Sequence, residues 1–433
     1  MEHFMAPPNE AADGDTPLRV VPIVKGQRRF NVMAKPIGPA CNLDCVYCYY
    51  LSKERLLGLT GHEPISDPIL EKFIVDYISG NDAPEVEFEW QGGEPTLLGV
   101  EFFRKVVDMQ RRHCPPNRRF LNSLQTNGLL LDDEWCRFLR ENRFLVGLSI
   151  DGPRKLHDAY RVAKGGQPTF DRVFAAAKLL KKHRVDFNTL TVVHRLNAKR
   201  PLDVYRFLSR EVGPRIMQFI PLVEPRGFAT VAPGLWDKNN LPLVGTHRAK
   251  PGTPDSIVTD WSVDPDDYGA FLCKVFDEWH QRDLGKYFVN LFESCAAVWM
   301  GRPAQICVFQ EFCGKALLLE RDSQLYSCDH FVYPEYRLGN LLEQPLVDMV
   351  FSGRQVRFGF AKTDTLPEYC RECEFLFACW GECPRNRFVR SPEGEPGLNY
   401  LCPGLLRFFL HADERLKKIA EEFHGYPRQV ADG

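Results

Sequence analysis

Three cysteines stand close together in Cys41-Asn-Leu-Asp-Cys45-Val-Tyr-Cys48. Thiolate is the usual ligand of a four-iron, four-sulfur cubane. Three protein ligands leave the fourth iron open, as an open position leaves a catalytic metal free for its substrate. That iron is where S-adenosylmethionine (SAM) would chelate. A zinc knuckle, or three unrelated buried cysteines, would give the same triplet in isolation. Further along lies Gln91-Gly92-Gly93-Glu94-Pro95. Its paired glycines allow the backbone to approach a ligand closely, and an ammonium group could dock there. Without the triplet upstream the same residues would read as a turn.

Polar clusters follow at Gln125-Thr126-Asn127-Gly128 and Ser149-Ile150-Asp151-Gly152, with Arg161 shortly after. Ser149 and Arg161 are candidates to hydrogen-bond a ribose or a carboxylate. Asn127 and Asp151 are equally expected to cap the helices that follow them. The C-terminal third carries eight more cysteines: Cys307, Cys313, Cys328, Cys370, Cys373, Cys379, Cys383 and Cys402. Eight ligands fill two four-cysteine sites. Zinc and iron–sulfur compete for them, and an adjacent redox cofactor favours iron–sulfur. Sites fully ligated by protein have no open iron for a substrate, so their work would be structural or electron transfer. Asp329 directly follows Cys328 and is the candidate general base, against the alternative of a turn-forming or capping aspartate. Low local dielectric would raise its basicity. Cys114, Cys136, Cys273 and Cys295 read as core.

Positioning these groups falls to an alternating pattern of short apolar runs and helical segments. Strands are expected at Phe30–Ala34, Val86–Trp90, Phe120–Gln125, Leu145–Ile150, Phe187–Val193 and Ile216–Ile220. Helices are expected at Pro68–Ser79, Val100–His113, Asp132–Glu141, Thr169–His183 and Pro201–Val212, with Asp132, Thr169 and Pro201 as start signals. Six βα repeats imply parallel pairing, and right-handed crossovers place every strand's C-terminal end on one face, where α/β proteins carry their chemistry. The proline- and glycine-rich stretch from Arg226 to Ser262 reads as a long surface loop. A helical stretch over about Asp264–Gly301 follows it, and then a cysteine-dense region poor in long periodic elements.

The chain has 433 residues, enough for one large unit and a smaller one, and 44% of them are apolar. Its 55 basic and 57 acidic side chains give a net charge of −2. Such a balance lacks the electrostatic footprint of a nucleic-acid or anionic-membrane partner. The first fifteen residues have no apolar signal region, and no apolar run approaches the roughly 18–20 residues that cross a bilayer. A cytoplasmic location is expected. In a reducing compartment, fifteen cysteines read as metal ligands or redox groups before disulfides.

The segments Cys41–Cys48, Trp90-Gln91-Gly92-Gly93-Glu94-Pro95-Thr96, Leu124–Gly128, Phe144–Pro153, Cys328-Asp329-His330-Phe331, Leu338-Gly339-Asn340 and Asn399-Tyr400-Leu401-Cys402 together closely resemble the anaerobic sulfatase-maturating enzymes. These are radical SAM enzymes with a SPASM-type C-terminal domain. The resemblance spans about residues 28 to 410 and implies an α/β fold: a partial (β/α)6 barrel of radical SAM type followed by a cysteine-rich iron–sulfur domain. It implies an irregular or disordered segment over 1–27, the barrel over 28–225, the linker or loop over 226–262 and a helical connection over 263–300. The SPASM-type domain would follow over 301–410, and a helix and tail over 411–433.

Three [4Fe-4S] clusters and SAM are the implied cofactors. Cys41, Cys45 and Cys48 would hold the SAM-binding cluster. Cys307, Cys313, Cys328 and Cys383 would hold one auxiliary cluster, and Cys370, Cys373, Cys379 and Cys402 the other. SAM would be held by Tyr47, Gly93, Ser149, Arg161 and Val223; Tyr50 and Gln91 would face the peptide. The implied reaction oxidises a cysteine or serine of a sulfatase polypeptide, unfolded or nascent, to Cα-formylglycine. In it a 5′-deoxyadenosyl radical takes a Cβ hydrogen, Asp329 takes the thiol or hydroxyl proton, and ferredoxin or flavodoxin is the implied electron donor.

Two alternatives compete. One is a SPASM enzyme that cross-links a ribosomal peptide. Asp329 and the short run of about thirty residues before the first strand, too few for a leader-binding domain, argue against it. The other is a non-catalytic iron–sulfur or zinc protein, which the open-iron triplet and Gly92–Pro95 argue against.

Overall fold

A computed structural model of the protein describes residues 28–424. The segment expected over 1–27 and the tail beyond 424 lie outside them. Six parallel strands form in chain order: β1 (Asn31–Lys35), β2 (Glu85–Trp90), β3 (Arg119–Thr126), β4 (Leu145–Ser149), β5 (Phe187–Val193) and β6 (Ile216–Pro221). Each lies within two residues of its expected bounds. Alternation explains why they form. On β2, Val86, Phe88 and Trp90 are buried against the covering helices, so Glu85, Glu87 and Glu89 take the opposite face. The same alternation brings Lys35, Gln91, Gln125 and Ser149 to the C-terminal strand ends, where all four line one cavity.

Helices over Asp67–Gly80, Gly99–His113, Asp133–Glu141, Phe170–Lys182 and Pro201–Phe207 make the crossovers. The Asp132 carboxylate caps its helix by accepting from the Trp135 N–H at 2.8 Å. Thr169 does not act as a cap: its hydroxyl donates to the Arg161 carbonyl at 2.8 Å. The helix expected over Pro201–Val212 stays α-helical only to Phe207. It finishes as one wider turn over Leu208–Val212, stopped by Gly213 at φ 62°.

The sheet extends beyond the six expected strands. β7 (Phe288–Val289) adds in parallel to β6, and splits the expected helical stretch into Pro265–Arg282 and Asn290–Trp299. On the other side β8 (Ala316–Glu320) pairs in parallel with β1. β9 (Gln324–Tyr326) and β10 (Arg337–Asn340) continue antiparallel, giving the order β10-β9-β8-β1-β2-β3-β4-β5-β6-β7. The cysteine-rich region is therefore welded to the barrel's first strand, and Cys328 and Asp329 follow β9 directly.

The stretch 226–262 is more than a surface loop. Ala232, Ala249 and Val258 are buried, and backbone carbonyls of Phe228, Pro233 and Lys238 accept from Tyr333, Tyr336 and Arg390 of the C-terminal region. It straps the two units together. Helix Cys402–His424 crosses helix Pro265–Arg282 at Gly404, where a Cβ would lie 2.1 Å from the Pro265 carbonyl oxygen. This close crossing fixes where Cys402 begins its helix. Among the described residues no helix is long and apolar enough to cross a membrane.

Candidate active site

The triplet loop leaves the end of β1 and is held from two sides. From below, the N–H groups of Gly93 and Glu94 donate to the carbonyls of Gly38 and Ala40 at 2.7 and 2.8 Å. A Cβ on Gly93 would lie 1.9 Å from the Ala40 oxygen, so the glycine serves first to let two backbones touch. From the side, the N–H groups of Asp44 and Val46 donate to the carbonyls of Val162 and Tyr160 at 2.9 and 3.0 Å, tying the loop to the segment that carries Arg161. Glu94 is fully buried and locks the next strand end. It accepts from the Thr96 and Asn127 N–H groups and from the Thr96 and Thr126 hydroxyls, at 2.6–3.0 Å. Gly93→Ala is accordingly expected to overpack this contact by about 1–3 kcal/mol. Loss of SAM binding and of the triplet's iron, with the eight C-terminal thiols still loaded, would register in SAM titration and iron analysis.

Cys41, Cys45 and Cys48 line one cavity with Tyr47, Gly93, Ser149, Arg161, Val223, Tyr50 and Gln91. Every residue expected to touch SAM or the peptide thus faces the triplet. Burial pushes the Cys41 and Cys45 thiols up to about 12, so iron must displace their protons on binding. An all-thiol donor set lining a cavity of this kind fits a three-ligand iron–sulfur cluster.

Asp151 does not cap a helix. Its carboxylate is fully buried and accepts from Arg161 Nε at 2.8 Å, from the Tyr47 hydroxyl and from the Val192 N–H at 2.9 Å. Burial opposes the charge, but Arg161 and two neighbouring histidines hold the carboxyl below its usual range. Asp151 therefore aims Arg161, whose Nη groups remain for a ligand. Asn127 does brace its own turn, accepting from the Leu129 N–H at 3.0 Å, while its amide reaches Asn42 beside the triplet at 2.7 Å. Ser149 accepts from Gln125 Nε2 at 2.9 Å.

Asp329 does not itself line this cavity, but it lies directly behind two residues that do, Lys35 and Tyr49. One carboxylate oxygen lies 2.7 Å from Lys35 Nζ, and the other accepts from the Tyr49 hydroxyl at 2.6 Å. Lys35 is 1% exposed; its ammonium also sits 3.5 Å from the Tyr50 ring centroid and 3.5 Å from Gln91 Oε1. The expectation that a low dielectric raises the basicity of Asp329 is overturned. Burial does act that way, but Lys35, His330 and Tyr49 outweigh it and hold the carboxyl at about 2. The cavity is lined further by His330 and by Arg385, which pairs with the buried Glu224.

Comparison with known proteins agrees with this geometry. Residues 36–208 match the Radical SAM superfamily and residues 307–374 an iron–sulfur cluster-binding domain. The chain is 46% identical, over 88% of its own length and 88% of the relative's, to a serine-type anaerobic sulfatase-maturating enzyme of Bacteroides thetaiotaomicron. It belongs to the anaerobic sulfatase-maturating enzymes. A cysteine-type member of that family from Clostridium perfringens is 32% identical over 90% of this chain and 98% of its own. The solved structure of native anSMEcpe with bound AdoMet, which is SAM, and Cp18Cys peptide superposes with a TM-score of 0.76 at 31% identity, covering 91% of this chain and 99% of that one. The maturating-enzyme family carries three [4Fe-4S] clusters and SAM, which removes zinc from the competing assignments.

The eight remaining thiols gather as two fours. Cys328 lies near enough to Cys307 and Cys383 to feel their charge, and Cys383 feels Cys307 and Cys313. Cys370, Cys373, Cys379 and Cys402 line a second cavity together. Cys136, Cys273 and Cys295 are buried in the core and Cys114 is half-buried. Glu94, Lys35, Tyr49 and the pairing role of Asp151 were missed from sequence. Glu94 alone left a signal, inside the Gly-Gly-Glu-Pro run.

Proposed function

We propose that this enzyme oxidises a cysteine or serine in a sulfatase segment to Cα-formylglycine, with Asp329 as the group that takes the side-chain proton. The observation that carries this reading is that Lys35 and Tyr49, which line the cavity holding the cysteine triplet, both hold the Asp329 carboxylate at its edge. Cys41, Cys45 and Cys48 would hold the SAM-binding cluster. Cys307, Cys313, Cys328 and Cys383 would hold one auxiliary cluster, and Cys370, Cys373, Cys379 and Cys402 the other. When bound, these groups supply a 5′-deoxyadenosyl radical that removes a hydrogen atom from the substrate Cβ, and one-electron acceptors for the second oxidation equivalent.

The residues' own work follows from their partners. Arg161, aimed by Asp151, would hold SAM's carboxylate or ribose, beside Tyr47, Gly93, Ser149 and Val223. Tyr50 and Gln91 would pack against the substrate residue. The Asp329 carboxylate, kept ionised by Lys35 and steadied by Tyr49, presents acceptor oxygens at a fixed place. A carboxyl held near 2 is a weak base toward a resting thiol. It suits a proton that becomes acidic only as the substrate is oxidised, so that transfer accompanies loss of the electron.

Ferredoxin or flavodoxin is our proposed electron donor and the cytoplasm our proposed location; the chain's net charge of −2 supports no nucleic-acid partner. The function is tested by anaerobic incubation of loaded enzyme, reductant and SAM with Cys-x-Pro-x-Arg and Ser-x-Pro-x-Arg peptides. An aldehyde captured by hydrazine in either peptide is the expected product, and none in both would end this reading. Arg161→Ala is expected to weaken SAM binding by about 1.5–3 kcal/mol, seen as a roughly tenfold or larger rise in the SAM dissociation constant.

A further inference from the structure

Among the described residues, Lys362 and Arg387 are cations buried beside the auxiliary-cluster cysteines with no carboxylate in direct ion-pair contact. Lys362 is fully buried, and its Nζ donates to three backbone carbonyls, those of Cys307 and Val308 at 3.1 and 2.8 Å and that of Gln310. Three acceptors around one nitrogen are all satisfied only by the three N–H bonds of an ammonium. Arg387 is 8% exposed. Its Nε and Nη2 donate to the carbonyls of Gly381 and Trp380 at 3.1 and 2.8 Å, and Nη1 to the carbonyl of Lys362 at 2.6 Å.

The first two of those carbonyls belong to a strained turn: Trp380, Gly381 and Glu382 all have positive φ, at 48°, 65° and 49°. The turn separates Cys379 from Cys383, and so divides the two ligand sets. Glu382, also buried, accepts from the Asn386 and Asn399 amides at 2.9 and 2.7 Å. Burying cations among neutral carbonyls is costly unless nearby negative charge compensates them. The thiolates supply most of that charge, joined by Glu382 for Lys362.

We propose that Lys362 and Arg387 are the built-in counter-ions of the two auxiliary clusters, setting the ease with which those clusters take up the electron released when the substrate is oxidised. Reduction adds one electron, hence one negative charge, to a site that four thiolates already make anionic. A fixed cation stabilises the reduced form more than the oxidised one, and a fixed carboxylate such as Glu382 does the reverse. Lys362 acts on the Cys307 and Cys313 set. Arg387 spans both, since two of its carbonyl partners, Trp380 and Gly381, lie between Cys379 and Cys383.

This inference rests on the assignment of the eight cysteines to two clusters, which iron and sulfide analysis of the reconstituted enzyme tests separately. Wild-type enzyme loading only one cluster would overturn that assignment before any potential is read. The test itself is an EPR-monitored redox titration of the intact, anaerobically reconstituted enzyme, with auxiliary signals recognised by their indifference to added SAM. Lys362→Met is expected to disfavour reduction of one auxiliary cluster by about tenfold, 59 mV for one electron, while Lys362→Arg stays close to wild type. Glu382→Gln, which keeps an acceptor for both asparagines, is expected to shift the potential in the opposite direction. A fully loaded Lys362→Met with an unchanged midpoint overturns the proposal. Should Lys362→Met fail to load iron, Arg387→Gln decides: a lowered midpoint supports the proposal, and an unchanged or raised one overturns it.

Discussion

Alanine at Cys41, Cys45 and Cys48 together is expected to abolish SAM cleavage, a loss on the order of 10⁶-fold or more, the scale at which enzymic acceleration begins. The three thiols line one cavity with every residue we assign to SAM, and no neighbouring thiol stands in reserve there. The eight C-terminal cysteines gather elsewhere, in two groups. The variant should therefore keep two thirds of its iron and its brown colour while producing no 5′-deoxyadenosine. Iron analysis and chromatography of the SAM products read both at once. Retention of cleavage would mean that the triplet does not hold the reacting cluster.

Asp329→Asn separates radical generation from proton removal. Asparagine keeps the size of the side chain and its bond to Tyr49, but it cannot take a proton and it loses the ion pair with Lys35. General-base loss typically costs about 10²–10⁴-fold, so formylglycine should fall by that order while 5′-deoxyadenosine continues to form. A companion change, Lys35→Met, removes the main influence that holds the carboxyl at about 2 and leaves burial to raise it. The sign is then fixed. A raised carboxyl protonates at higher pH, so activity that is flat in the wild type near neutrality should fall as pH is lowered in the variant. Product yield against pH checks this, and a flat profile in Lys35→Met would remove Lys35 from the account.

The strands were legible because their alternation is strong: Val86, Phe88 and Trp90 against Glu85, Glu87 and Glu89 is a strand pattern with little competition. Whether the sheet closes into a partial barrel was not in the periodicity and came through the family resemblance. β8 went unread although Ala316–Glu320 is an apolar run, because five residues of that kind fit a buried strand or a helix fragment equally well.

Within the site, residue types with specific chemistry were legible and their partners were not. The thiols, Arg161 and Asp329 announce themselves. Lys35 is one lysine among many until the fold sets it against Asp329, and Asp151 looks like a cap until Arg161 folds back onto it. The division of the C-terminal cysteines was hidden for a backbone reason. Spacing alone would group Cys379 with Cys383, but three consecutive left-handed residues turn the chain between them and send the two thiols to different sets.

Radical abstraction at Cβ is read directly with a sulfatase-motif peptide whose target residue carries deuterium at Cβ. It is incubated anaerobically with loaded enzyme, reductant and unlabelled SAM. Deuterium is expected in the 5′-deoxyadenosine, with one aldehyde formed for each labelled nucleoside. Unlabelled 5′-deoxyadenosine beside an unchanged peptide would contradict that abstraction.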